Sequence, residues 1–143
     1  MAHLDDYNSH PDKKLTVHVD GVVEGTRSRT GLAAADLAAI FHDVGKLNPN
    51  FQEKLLSNGN PNGYDHHSYL SAAAFLSYFL QNRTQVLEQV GGRNGLGTVL
   101  ALVARHHGNL PDFPRIMKTR EVDDMMAFLR EGHDLPASDL VDL

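Results

Sequence analysis

The run from Leu32 to Phe41 is apolar and ends in His42-Asp43-Val44-Gly45-Lys46. Its residues are apolar on nearly every side, which predicts a helix over Leu32 to Val44 that lies in the centre of the fold. Its alanines allow neighbouring helices to approach closely. A histidine and an aspartate in the last turn of a buried helix both lose hydration, and an ionised carboxylate there needs a compensating partner. A divalent metal supplies one partner for both groups. Gly45 is expected to cap the end of this helix.

The rest of the composition limits how such a metal can be held. The chain contains no cysteine, which excludes disulfides, thiolate ligands and a cysteine nucleophile. Imidazole and carboxylate remain, and the chain carries nine histidines. At 143 residues it is long enough for one domain with its own core. The net charge of −5 argues against a global basic field for nucleic acid, although a metal centre supplies local positive charge of its own. The acidic start, His3-Leu4-Asp5-Asp6, lacks the apolar core of a secretory signal, and no apolar run reaches the ~20 residues of a membrane span. A cytoplasmic location is expected.

Helical spacing recurs along the chain, and no strand pattern of weight accompanies it. The fold class expected is therefore all-α, a single-domain helical bundle with a metal site at its centre. Residues 1–12 are assigned as a polar lead-in, 13–131 as the domain and 132–143 as a polar tail. Pro11-Asp12 opens a first helix with Leu15, His18, Val19, Val22, Val23 and Thr26 on one face. Arg27-Ser28-Arg29-Thr30-Gly31 breaks it and offers Ser28 or Thr30 as the next N-cap. After the central helix, Asn48-Pro49 starts a short one over Asn50 to Ser57. A turn-rich loop, Asn58 to Gly63, precedes a helix from Asp65 to Gln81 with His67, Leu70, Ser71, Ala74, Phe75, Tyr78 and Phe79 inward. That phase favours His67 over His66. A polar helix over Thr84–Val90 ends at Gly91-Gly92, and another over Leu96 to His107 presents Val99, Leu102, Val103, His106 and His107. A last amphipathic helix is expected over Glu121 to Arg130.

Four helices thus bring histidine to a buried face: His18, His42 with Asp43, His67, and His106 with His107. A lone histidine in such a place is usually a hydrogen-bonded core residue, but four coinciding need a common partner. Five imidazoles and one carboxylate are too many for one tetrahedral ion and suit two divalent ions sharing Asp43. Two such ions fit in-line attack on phosphorus, one activating water and the other stabilising the leaving oxygen. Lys46 is either the cation for a phosphate and its developing charge or a solvated lysine past a helix end. Ser68 and Ser71 lack an oxyanion-hole motif. His3, His10 and His133 lie in polar segments and are expected at the surface.

The residues His42-Asp43 with Gly45-Lys46 resemble the signature of the HD superfamily of metal-dependent phosphohydrolases. More narrowly, HDVGKLNPNFQEKL, DHHSYLSAAAF and VARHHGNLPDF resemble the HD nuclease domain of the type I CRISPR-associated helicase–nuclease, over roughly residues 13 to 113. The resemblance implies metal-dependent cleavage of single-stranded DNA in antiviral interference, downstream of an RNA-guided surveillance complex, with a helicase domain or subunit feeding the strand. It implies one or two divalent ions per chain, with Mn, Ni, Co, Fe and Mg all open. His18, His42 and Asp43 would hold one ion and Asp43, His67, His106 and His107 the other, with Lys46 beside them; Asp43 and Lys46 would be the catalytic pair. Exonuclease and endonuclease behaviour both fit. The family's late aspartate for the first ion has as candidates Asp123, Asp124, Asp139 and Asp142, none in the family's serine-leucine-alanine-aspartate setting. Two other readings stand beside this one: an HD phosphohydrolase of a nucleotide or cyclic nucleotide, and a catalytically silent metal-binding module that docks a helicase.

Overall fold

A computed structural model describes residues 4–57 and 67–108 of the chain. The loop Asn58 to Gly63, the cap at Asp65, His66, the helix expected over Glu121 to Arg130, the late aspartates and His133 all lie outside them. Among the described residues the protein is all-α apart from one short hairpin: β1 (Asn8–His10) pairs antiparallel with β2 (Lys13–Lys14). Six helices follow, α1 (Leu15–Arg29), α2 (Ala33–Phe41), α3 (Pro49–Leu56), α4 (His67–Gln81), α5 (Arg83–Val90) and α6 (Arg93–Arg105). No helix among these residues is long and apolar enough to cross a membrane.

The central element is α2, which packs between α1 and α6, while α4 closes against α6 and the segment after α2. Its second half, Leu37 to Phe41, is buried. Phe41 is fully enclosed, edge-on to Phe75 with ring centroids 5.2 Å apart, and also touches Tyr78. Burying such aromatic rings is worth ~2–3 kcal/mol each from area alone, and here it fixes the end of α2, from which His42 and Asp43 follow. The stripe expected on α4 is buried along its whole length, from His67 to Phe79. On α6, Val99 and Val103 are fully buried, but Leu102 is 46% exposed, because the helix points its Val99–Val103 line at the core. Leu102 therefore does not belong to the inward face assigned to it from spacing.

Three further expectations are corrected. Strand structure is present, because the hairpin is held from outside itself: the Asn8 N–H donates to Gln52 Oε1 (3.0 Å) and Gln52 Nε2 donates to the Asn8 carbonyl (2.8 Å). A side-chain amide from α3 thus does what a neighbouring strand would do, and local alternation of apolar residues is not needed. Second, α1 runs on through Arg27-Ser28-Arg29, with the Thr26 and Ser28 hydroxyls donating back to the Val22 and Gly25 carbonyls. The break comes at Thr30-Gly31, where Gly31 takes a positive φ of 60° and Thr30 Oγ1 accepts from the Leu32 N–H.

The third correction bears on the site. The central helix stops at Phe41, and after His42 and Asp43 the chain tightens into a 3₁₀ turn over Val44–Leu47. Gly45 is no left-handed cap. It is glycine because the turn passes directly over α4: a Cβ there would collide with the His67 carbonyl and lie 2.9 Å from Leu70 Cβ. The Gly45 N–H donates to the buried Ser71 Oγ at 2.8 Å. Ser71 is therefore a fastener between the 3₁₀ turn and α4.

Candidate metal centre

The close crossing at Gly45 brings Asp43 beside His67, and the ends of α1, α2 and α6 supply the rest. Asp43 is 1% exposed. Its Oδ2 lies 3.0 Å from His18 Nε2 and 3.4 Å from His42 Nε2; its Oδ1 lies 3.2 Å from His67 Nε2 and 3.5 Å from His106 Nε2. His107 Nε2 is 2.8 Å from His67 Nε2. The potential ligand atoms fall into two groups, each within 4.8 Å of one another and sharing Asp43: His18, His42 and Asp43, and Asp43, His67, His106 and His107. All six residues singled out from the sequence meet at one place.

The ring orientations show what this place lacks without a cation. His42 Nδ1 lies 2.6 Å from the Ala39 carbonyl and His106 Nδ1 2.7 Å from the Val103 carbonyl, each three residues back on its own helix. Only an N–H can satisfy a carbonyl, so Nδ1 carries a proton, and in the neutral ring Nε2 is the lone pair turned toward Asp43. Such backbone partners commonly orient metal-ligating histidines. On the Oδ1 side lone pairs and a carboxylate then converge, whereas Oδ2 already has the Lys46 ammonium 2.8 Å away. Buried acceptors facing acceptors are unfavourable until a cation sits among them. The residues present fit a divalent ion.

Electrostatics prepare the donors for that role. Burial pushes the Asp43 carboxyl toward its protonated form, but hydrogen bonds from the His106, His18 and His67 rings, when these carry a proton on Nε2, and the charge of His42 beyond hold it far below the usual carboxylate range. Burial pulls His42 below the ordinary imidazole value; His106 and His18 reinforce this, against Asp43 and the Ala39 carbonyl. His107 is lowered by burial and by the charges of His106 and His67. An ionised carboxylate and neutral imidazoles are the ligand forms a metal requires.

Lys46 is not the solvated lysine that was its bland alternative. It is buried, with Nζ 2.8 Å from Asp43 Oδ2, 3.4 Å from the Ser9 carbonyl to which it donates, and 5.7 Å from the Phe51 ring centroid. Two residues that sequence reasoning missed complete the surroundings. Gln52, buried on α3, donates from Nε2 to the Lys46 carbonyl (2.7 Å) as well as holding Asn8. His10 is exposed, as its polar segment suggested, yet its ring meets His18 edge-on at 5.6 Å. The sequence signal for both is slight, a Phe51-Gln52 pair after the lysine turn and a histidine before Pro11.

Residues 7–130 match the family model described as "Cas3, HD domain". No curated protein and no solved structure matches the chain.

Proposed function

The chain belongs to the Cas3 HD-domain family, and from that premise we propose that it hydrolyses phosphodiester bonds of single-stranded DNA in type I CRISPR interference. The family is one of metal-dependent HD-type nucleases. The observation that carries the reading is the convergence of imidazole Nε2 atoms on both oxygens of one buried carboxylate. A shared carboxylate between two ligand groups suits phosphoryl chemistry, where charge must be offset at both the attacking and the leaving oxygen.

In this reading His18, His42 and Asp43 hold one divalent ion, and Asp43, His67, His106 and His107 hold a second. A bound ion supplies a water activated for attack at neutral pH and neutralises charge on the phosphate. The protein's own part is to fix and polarise. Asp43, kept ionised by its imidazole neighbours, serves as a ligand and not as a proton donor. The Ala39 and Val103 carbonyls lock His42 and His106 with Nε2 forward. Lys46, held by the Ser9 carbonyl, keeps an ammonium beside Oδ2, where it offsets charge that builds on the phosphate in the transition state. A helicase domain or subunit, acting with an RNA-guided complex, presents the strand.

The test uses the purified chain with Mn²⁺ or Ni²⁺ and labelled single-stranded and duplex oligonucleotides. Cleavage of the single strand, abolished by chelator, is the expected result. Intact single-stranded DNA beside hydrolysis of mononucleotides or cyclic nucleotides would move the chain to a small-molecule HD phosphohydrolase. Less than one bound ion per chain, unchanged by His106→Ala, would make it a silent docking module.

A further inference from the structure

The hairpin that Gln52 clamps beside the metal centre has no role in the chemistry above. It carries His10, Pro11, Asp12, Lys13 and Lys14, with both lysines and the histidine exposed. Two lysines and one aspartate leave it net positive in a chain whose formal charge is −5. His10 and Lys13 are register partners across the strands, so their side chains leave the same face. That face looks toward the site, since the His10 ring meets the His18 ring edge-on with centroids 5.6 Å apart. Ser9 Oγ lies 3.0 Å from His10 Nδ1, which leaves Nε2 as the ring nitrogen presented outward. The hairpin cannot drift, because Asn8 is held at both backbone groups by Gln52 and the Ser9 carbonyl accepts from Lys46.

We propose that this hairpin is the strand-binding lip of the centre, with His10 and Lys13 contacting backbone phosphates next to the one being cleaved. Both groups lie outside the cluster of potential metal ligands, so they meet phosphates that a polymer carries and a mononucleotide does not. The inference rests on the nuclease reading and names how that site selects a strand. With the Ser9 hydroxyl donating to His10 Nδ1 at 3.0 Å rather than to the Lys13 carbonyl at 3.4 Å, His10 keeps its proton on Nε2 as a hydrogen-bond donor, and Lys13 supplies a charge whose engagement releases a counterion.

The experiment compares wild type with His10→Ala, Lys13→Ala and Arg93→Ala. Arg93 starts α6, a helix length of about 20 Å from its His106 end, and its removal costs the same charge. All three changes are at exposed positions. Binding of a fluorescent single-stranded oligonucleotide is measured by anisotropy in chelator over a salt series, and hydrolysis is measured on that oligonucleotide and on bis-p-nitrophenyl phosphate with Mn²⁺. Lys13→Ala should weaken oligonucleotide binding about three- to tenfold and reduce the salt slope by about 0.7, the value for one phosphate on a single strand. His10→Ala should raise KM for the oligonucleotide several-fold while leaving the slope nearly unchanged. Arg93→Ala should match wild type on both substrates, and Lys13→Ala should lose on the oligonucleotide while hydrolysing the small diester as wild type does. Equal losses for Lys13→Ala and Arg93→Ala, or no loss in either hairpin variant from an otherwise active chain, would overturn the lip. A wild-type chain inert on both substrates would instead overturn the nuclease reading.

Discussion

The two sides of Asp43 are built differently. Toward Oδ2 stand His18 and His42, with the Lys46 ammonium at 2.8 Å. Toward Oδ1 stand His67 and His106, with His107 against His67 and no lysine. Among the described residues, one side offers two imidazoles and already holds a positive charge; the other offers three imidazoles. A cation entering on the Oδ1 side meets more lone pairs and less repulsion. The comparison teaches that the two oxygens of one carboxylate need not offer a cation equivalent surroundings, and it ranks the Oδ1 side as the tighter one.

The largest effect should come from removing what the two sides share. Asp43→Ala is expected to abolish metal-supported cleavage and to strip metal from both sides, a loss beyond the roughly 10–100-fold that an outer-shell change costs. Metal content by mass spectrometry and single-strand cleavage check it together. Next, His67→Ala should weaken binding of the first equivalent of Mn²⁺ by about tenfold or more, whereas His18→Ala should leave that equivalent nearly intact. Calorimetric titration decides between them, and equal weakening would break the ranking.

Lys46→Met sharpens the contrast from the other direction. In the metal-free chain it removes one member of a buried ion pair and should cost about 3 kcal/mol of unfolding free energy. Saturating Mn²⁺ should recover most of that cost, since the ion replaces the missing positive charge, while cleavage stays depressed. Urea denaturation with and without metal measures both. The smallest effect is on pH. Folded His42 and His107 protonate below the ordinary imidazole value of 6.5, so on acidification the unfolded chain takes up these protons first. Stability of the metal-free chain should therefore fall as pH drops from about 7 to 5. Asp43, whose carboxyl is held low, adds its own loss only as pH falls below its ordinary value of 3.8. A urea midpoint that rises over the 7-to-5 window would contradict the neutral imidazoles on which the ligand set depends.

Much of this was legible in the chain because the signals are local and periodic. The stripe from His67 to Phe79 declares a buried helix face by spacing alone, and the choice of His67 follows from the same phase. Coincident histidines on four such faces imply a common partner for a reason of chemistry, since buried imidazoles and carboxylates need one. Composition closed off thiolate chemistry. The residues that meet at Asp43, and the lysine beside them, could thus be named from the chain alone.

Tertiary structure decided what depends on contacts between distant segments. The hairpin exists because Gln52, 44 residues from Asn8 in sequence, substitutes for a strand neighbour; periodicity carries no trace of that. The end of α2 at Phe41 depends on a 3₁₀ turn crossing α4 where Gly45 admits the His67 carbonyl, so a glycine that looks like a cap is a clearance. Lys46 had two sequence readings, and burial against Asp43 removed one of them. The difference between Oδ1 and Oδ2 belongs wholly to the fold. Sequence specifies which groups can bind a cation, but direction and distance decide which of them share it.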